Sequence, residues 1–379
     1  MRNVLAATVL AAVTVVALAC GGSSTNAGSG GSSASSTTAT GSSSSTGSGG
    51  TSSSGSGGAA AMPGVDATVT AFDKTFLYFG GGDNFRDVDA DATFPATGAY
   101  SSIILHLALT CPGGKCDPWD RYGTLGLVTT KGATPDKDVV VELARFITPY
   151  GVGASWDYDV TDLRPLLTGA VTLHAFIDTW VGTKTSGGWA LTTSFEMKGG
   201  VPAKLPIAVV PVFLPVDFAY GDPAKPTSMS VPPADLTLPA ASSYALRTFI
   251  TGHGQGNLSN CAEFCPKNHT LTVGTTAHKQ KIWRTDCATT AAPGQQGSYQ
   301  YSRAGWCPGA DVKSWDVDIT ADVSGGKATI AYDVDSYVNT CRPDAMTCAG
   351  CSLGTGCAYD DGNHTEPNYR LSTLLIAFQ

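Results

Sequence analysis

Twelve residues, Cys111 to Tyr122 (CPGGKCDPWDRY), gather two cysteines, an aspartate, a tryptophan and the pair Asp120-Arg121. Pro112, Gly113, Gly114 and Lys115 between the cysteines are turn formers, so a disulfide there would close a tight loop at the end of the apolar run Ile103 to Leu109. Asp120 falls just before an extended pattern resumes at Tyr122, which puts its carboxylate at the rim of a sheet on a stapled backbone. A rim residue is accessible while its scaffold is rigid, and a carboxylate held there can work as a general acid or base. Taken alone, these residues also fit a plainer reading, a stapled hairpin on which Asp120 and Arg121 pair at the surface to little effect.

Two further carboxylates stand in suggestive settings. In Val171 to Trp180 (VTLHAFIDTW), strand periodicity puts Val171, Leu173, Ala175 and Ile177 on one face, and His174, Phe176, Asp178 and Trp180 on the other. The first face is a core face. The second sets an acid among aromatics, a platform on which rings stack against sugars while the carboxylate accepts hydroxyl hydrogen bonds. Glu263 lies inside CAEFC, where a disulfide between Cys261 and Cys265 would aim it from a three-residue loop.

The elements that must position these groups read as β. Short stretches of Val, Ile, Thr, Tyr and Phe are broken about every ten residues by Gly, Pro, Asn or Asp, and no long segment has helical periodicity. The body beyond residue 62 is too long for one ordinary core and divides into two antiparallel sandwiches, 63–200 and 201–379, with the Gly- and Pro-rich passage Lys198 to Pro206 between them.

Ahead of that body, Arg2 and the apolar run Val4 to Ala19 form a signal segment over 1–20, too short for a stable span, with Cys20 placed for lipidation. Residues 21–62 are nearly all Ser, Gly, Thr and Ala and form a disordered tether, reaching roughly 35 Å if random coil. A net charge of −8 with 14% charged residues gives no footprint for nucleic acid. The 11 cysteines leave ten once Cys20 is set aside, an even number that suits disulfides in an oxidising compartment.

The stretch CPGGKCDPWDRY resembles the active-site segment of the peptide:N-glycosidase F family, bacterial amidases that remove N-linked glycans from asparagine. The resemblance recurs in order through RFITPYGVG (Arg145 to Gly153), DVTD (Asp159 to Asp162), DTW (Asp178 to Trp180), Arg247 to Gly254, CAEFC and RAGWCPG (Arg303 to Gly309), from about Thr70 to the C-terminus. It implies an all-β fold of two side-by-side jelly-roll domains with the cleft where they meet. It also implies that Asp120 is the principal acid/base, that Glu263 and Asp178 position substrate and water, and that Arg121, Trp180, Arg303, Trp119 and His253 bind the glycan. The implied disulfides are Cys111-Cys116, Cys261-Cys265 and Cys287-Cys307. Cys341, Cys348, Cys351 and Cys357 fall in an insertion, 341–357, foreign to the family, where two disulfides are expected over a zinc site. Neither metal nor cofactor is called for, the partners are N-linked glycopeptides or glycoproteins met by a monomer tethered to a membrane through its lipid alone, and the setting is the cell envelope.

Two positions depart from the family pattern: Asp178 stands for a glutamate and His253 for a tryptophan in a Gly-Trp-Gly stretch. Such changes fit an altered glycan preference, a slower enzyme, or a glycan-binding protein on the same scaffold. A copper monooxygenase is disfavoured because the six histidines include no His-x-His or His-His pair.

Overall fold

Alternation of apolar and polar residues produces strands wherever one face can be buried, and the first nine do so around a single core. They are β1 (Ala67–Gly80), β2 (Asp83–Phe85), β3 (Asp87–Phe94), β4 (Tyr100–Thr110), β5 (Tyr122–Thr130), β6 (Val139–Ile147), β7 (Ala154–Asp159), β8 (Gly169–Ile177) and β9 (Trp189–Gly199). The computed structural model describes residues 61–255, 261–339 and 366–379. The signal segment with Cys20, nearly all of the tether and the four cysteines of the insertion lie outside the described residues. One sheet runs β2-β1-β9-β4-β7 and the other β3-β8-β5-β6. Leu77, Leu105, Leu107 and Phe195 of the first meet Leu125, Val141, Leu173 and Ile177 of the second.

The remaining strands are β10 (Pro206–Ala219), β11 (Ala234–Thr237), β12 (Ser243–His253), β13 (Lys267–Val273), β14 (Thr276–Ile282), β15 (Trp315–Asp318), β16 (Lys327–Val334) and β17 (Asn368–Phe378). They form the sheets β10-β17-β12-β15 and β11-β16-β13-β14 around a second core that includes Leu246, Ile250, Leu271, Ile330 and Leu375. Helix is confined, among the described residues, to short turns such as Thr227–Ser230 and Cys287–Thr290.

The sheet containing β17 is buried on both faces. Residues Tyr369, Leu371 and Leu375 point into the second core, while Leu374, Ile376 and Phe378 point into the first, as a period of two requires. The same alternation aims the odd-numbered residues of β12 at the first sandwich. Arg247 reaches Asp162 at 3.0 Å, and the Thr251 hydroxyl accepts from Arg145 at 3.1 Å. Arg145, fully buried, makes a two-pronged pair with Glu142 (2.7 Å for each nitrogen) and donates to the Arg370 carbonyl at 2.7 Å. This buried charge cluster ties β6 to β12 and β17.

The pairing directions bring the functional segments to one rim. β5 is antiparallel to both β6 and β8, so the start of β5 lies beside the ends of the other two. Residues just outside those ends are Asp120, Tyr150 and Asp178. From the second sandwich, the end of β12 lies beside the start of β17, placing His253 and Arg370 toward the same junction.

Candidate active site

Asp117 organises the stretch that opens the site. It is wholly buried and accepts hydrogen bonds from the Trp119 amide (3.0 Å), the Arg121 guanidinium (2.7 Å) and the Thr179 hydroxyl (2.7 Å). The Cys111–Cys116 disulfide closes the preceding loop. Thr148 fixes the other side, accepting from the Arg121 amide at 2.8 Å and donating to the Trp119 carbonyl. Asp120 is thereby held between two anchored neighbours. Arg121 is therefore paired with Asp117 and not with Asp120, which corrects the plain surface-pair reading: the buried carboxylate wins because an unpaired buried charge is far costlier than an exposed one.

Asp120 faces the second sandwich. Its carboxylate accepts from the Tyr150 hydroxyl at 2.7 Å, and that hydroxyl lies 3.2 Å from Ser298 Oγ. Arg303, fully buried, donates to Ser298 Oγ at 2.9 Å and to Glu263 Oε1 at 3.1 Å. A continuous polar bridge therefore runs from Asp120 through Tyr150, Ser298 and Arg303 to Glu263. Glu263 sits inside the Cys261–Cys265 disulfide loop, with its amide donating to the Gly254 carbonyl. The third disulfide, Cys287–Cys307, braces the segment that carries Ser298 and Arg303. Arg303 also packs on the rings of Phe264 and Trp306. Gly305, at φ +87°, lets this segment pass against the Ile250 carbonyl, where any Cβ would collide.

The electrostatics separate the two acids. Burial pushes Asp120 up to about 6, against the Tyr150 hydrogen bond and the charges of Arg303 and Arg121 that favour its anion. Burial and then the Asp120 charge push Glu263 further, to about 8, with Arg303 opposing. Both acids therefore resist ionisation, Glu263 more than Asp120. Burial and the Asp120 charge keep Tyr150 protonated well past neutrality, so it remains a donor.

Asp178 belongs to a neighbouring cluster. It pairs with Arg86 at 3.5 Å and with Arg370 at 3.3 Å, and Arg370 also holds Asp217 at 3.1 Å. Asp178 thus carries arginine partners from both sandwiches, whereas Asp120 and Glu263 are joined by the polar bridge. An aspartate reaches these cations from the β8 end while its amide still bonds the Tyr122 carbonyl at 2.9 Å. The clusters are joined by a stack. Arg370 lies over Tyr122 at 4.2 Å, Tyr122 meets His253 edge-on, and His253 stacks on Trp306 at 5.4 Å.

The side chains expected to hold a glycan divide by exposure. Trp119 and Trp180 are open to solvent at 59% and 53%, and Trp180 rests on the Arg86 guanidinium at 4.3 Å. Arg303 and His253 are held by contacts within the site. Arg303 is enclosed by the groups it bridges. His253 is held by Trp306, Tyr122 and the Thr251 hydroxyl, and burial with nearby Arg370, Arg145 and Arg303 keeps its ring neutral, well below the usual histidine range. Tyr150, Ser298 and Asp117 were not singled out from sequence. Tyr150 did lie inside the quoted RFITPYGVG segment, but only its contact with Asp120 distinguishes it from a strand-end aromatic.

Among the described residues, one group has metal-ligand spacing, Asp89, Asp138 and His174. The Lys131 ammonium already lies 2.6 Å from Asp89 and 3.3 Å from Asp138, supplying the cation that the acids require.

Residues 129–193 match the family described as Peptide-N-glycosidase F, N terminal, and residues 224–349 match Peptide-N-glycosidase F, C terminal. The peptide-N(4)-(N-acetyl-beta-D-glucosaminyl)asparagine amidase F of Elizabethkingia miricola is 29% identical over 290 residues, covering 72% of this chain and 78% of that protein. A crystal structure of a peptide-N(4)-(N-acetyl-beta-D-glucosaminyl)asparagine amidase superposes with a TM-score of 0.67 at 25% identity, covering 83% of this chain and 96% of the other. PNGase F, a glycosylasparaginase from Flavobacterium meningosepticum, gives a TM-score of 0.64 at 25% identity with the same coverage.

Proposed function

The chain belongs to the peptide-N-glycosidase F family, and from that premise we propose that it hydrolyses the amide bond between asparagine and the innermost N-acetylglucosamine of N-linked glycans. The observation that carries this reading is the pair of buried acids bridged through Tyr150, Ser298 and Arg303, of which Glu263 is the harder to ionise, so that one can act as base while the other keeps its proton. Amide hydrolysis needs those two states together: a base to take a proton from water, and a donor for the oxygen that gains charge as the water attacks. Asp120 removes the proton as the water oxygen bonds to the amide carbon. Glu263 donates a hydrogen bond to the developing oxyanion. Asp120 then returns its proton to the nitrogen, the carbon–nitrogen bond breaks, and the products are aspartate and a glycosylamine that hydrolyses spontaneously.

The exposed indoles of Trp119 and Trp180 supply stacking surfaces for sugar rings, and Asp178 with Arg121 orients substrate at the entrance. Arg303, Tyr150 and Ser298 keep the acids in register. The retained acid pair favours this reading over a non-catalytic glycan-binding protein. Incubation with a defined N-glycopeptide should convert the modified asparagine to aspartate, a gain of about one dalton over asparagine in the released peptide. An unchanged glycopeptide would sink the proposal.

We also read residues 1–20 as an export signal with Cys20 lipidated, which anchors the protein to the cell envelope, and we take it to act as a monomer on N-linked glycopeptides or glycoproteins. Metabolic labelling with a fatty-acid analogue should mark the wild type and leave Cys20→Ser unlabelled. Label on the variant would remove the anchor.

A further inference from the structure

The geometry points to a second binding site, specific for an acidic sugar, in a groove of about 390 Å³ on the open flank of the second sandwich. The groove lies where β14 and β15, each the edge strand of its sheet, approach one another. The pattern Lys-x-Trp occurs at both, as Lys281-Ile282-Trp283 at the end of β14 and Lys313-Ser314-Trp315 leading into β15. Lys281 and Lys313 are exposed, and the indoles of Trp283 and Trp315 lie partly buried beside them.

Both tryptophans are half-buried, resting on the second core while lining the groove. They give flat apolar surface at fixed positions, and Gln280 and Ser314 add hydrogen-bonding groups beside them. The nearby carboxylates are taken: Asp316 by Arg247 at 2.7 Å and Asp286 by Arg284 at 2.7 Å. Lys281 and Lys313 make no salt bridge among the described residues, and the Asp286 carboxyl, held low first by its hydrogen bonds to Arg284, also feels the charge of Lys313. Two such cations beside two indoles, on a protein whose net charge is −8, match a ligand that combines an apolar ring face, hydroxyls and a carboxylate. A terminal sialic acid on a glycan arm and a uronic acid polysaccharide share that chemistry. Nucleic acid is opposed by the overall charge.

The groove is distinct from the candidate active site. Gly305 lines it, whereas Arg303, two residues earlier, faces the acids. The Arg284–Arg303 backbone bridge, at 2.8 and 3.2 Å, closes the wall between them. The inference does not depend on the amidase reading, because binding is measured without turnover.

The test is a titration of the full chain, followed by NMR or calorimetry, with sialyllactose, trigalacturonate, lactose and hexaglutamate. At least one acidic sugar should bind ten times more tightly than lactose, and the tighter of the two identifies the source. Lys281→Glu with Lys313→Glu changes only exposed side chains, so the fold should be kept while acidic-sugar affinity falls tenfold or more and activity on a neutral glycopeptide is unchanged. Trp283→Ala should weaken the same binding, with circular dichroism checking the fold. Equal binding of lactose, hexaglutamate binding as tightly as the sugars, no binding by either acid, or an unaffected lysine variant would each overturn the site.

Discussion

Asp120 and Glu263 are both raised by burial, Glu263 the more, and most of what the site can be asked to do follows from that order. The kcat/KM profile should be bell-shaped, falling below about 6 as Asp120 protonates and above about 8 as Glu263 ionises; a flat profile across that range would contradict the roles given. Tyr150 lowers the Asp120 affinity for its proton, so Tyr150→Phe should move the acid limb alkaline and cost more activity at pH 6 than at pH 7.5. Asp120→Asn should lower turnover at least a hundredfold and yet stabilise the fold. The sign is fixed by the raised folded-state pKa: the cost of ionising Asp120 begins as pH rises past the unfolded value near 4 and is complete above about 6. Thermal melts should therefore favour the variant at pH 7.5 and show no difference near pH 4. The looped setting of Glu263 and the rim setting of Asp120 were legible from the cysteines nearby, but cysteine spacing alone left Asp120 open to a plain surface pairing and only the family resemblance gave either acid a role. Tyr150 and Ser298 were not legible, since their bond spans 148 positions and no local pattern records it.

At the level of elements, the segment between β4 and β5 is held by Asp117, which has three donor residues and no access to water, as well as by its disulfide. Asp117→Ala should strand the Arg121 charge and release Thr179, costing about 3 kcal/mol in chemical denaturation and lowering activity with it. A loss below about 1 kcal/mol would show that the disulfide alone suffices. The strand β8 was readable in advance, down to the core face formed by Leu173, Ala175 and Ile177. Its other face was only half readable. His174 is buried against Asp89 at 2.9 Å and close to Lys131's carboxylate partners, a pairing set by neighbouring strands and so absent from the periodicity of β8 itself.

For the whole molecule, two β cores were evident from texture, but their sharing of a sheet was not. A continuous apolar run such as that of β17 announces burial on two sides without saying what covers each. Because Leu374, Ile376 and Phe378 fill the first core, residues 63–200 made alone should expose an unfilled sandwich and fail to give a cooperative melt, while the intact chain should melt in one transition. Independent, reversible folding of that fragment would refute the dependence. Arg145→Met, at the seam, should destabilise the intact protein by about 3 kcal/mol, because Glu142 loses its partner in a dry setting. Activity should persist in EDTA, since no step assigned to the acids uses a metal. The shared sheet also imposes an order on synthesis. Nine strands of the first sandwich emerge before β10, but the residues that seal its core arrive only with β17. The first half must wait, partly open, for nearly the entire second half to be made. Closure of both cores then becomes one late event, and a chain cut short anywhere before β17 has finished neither.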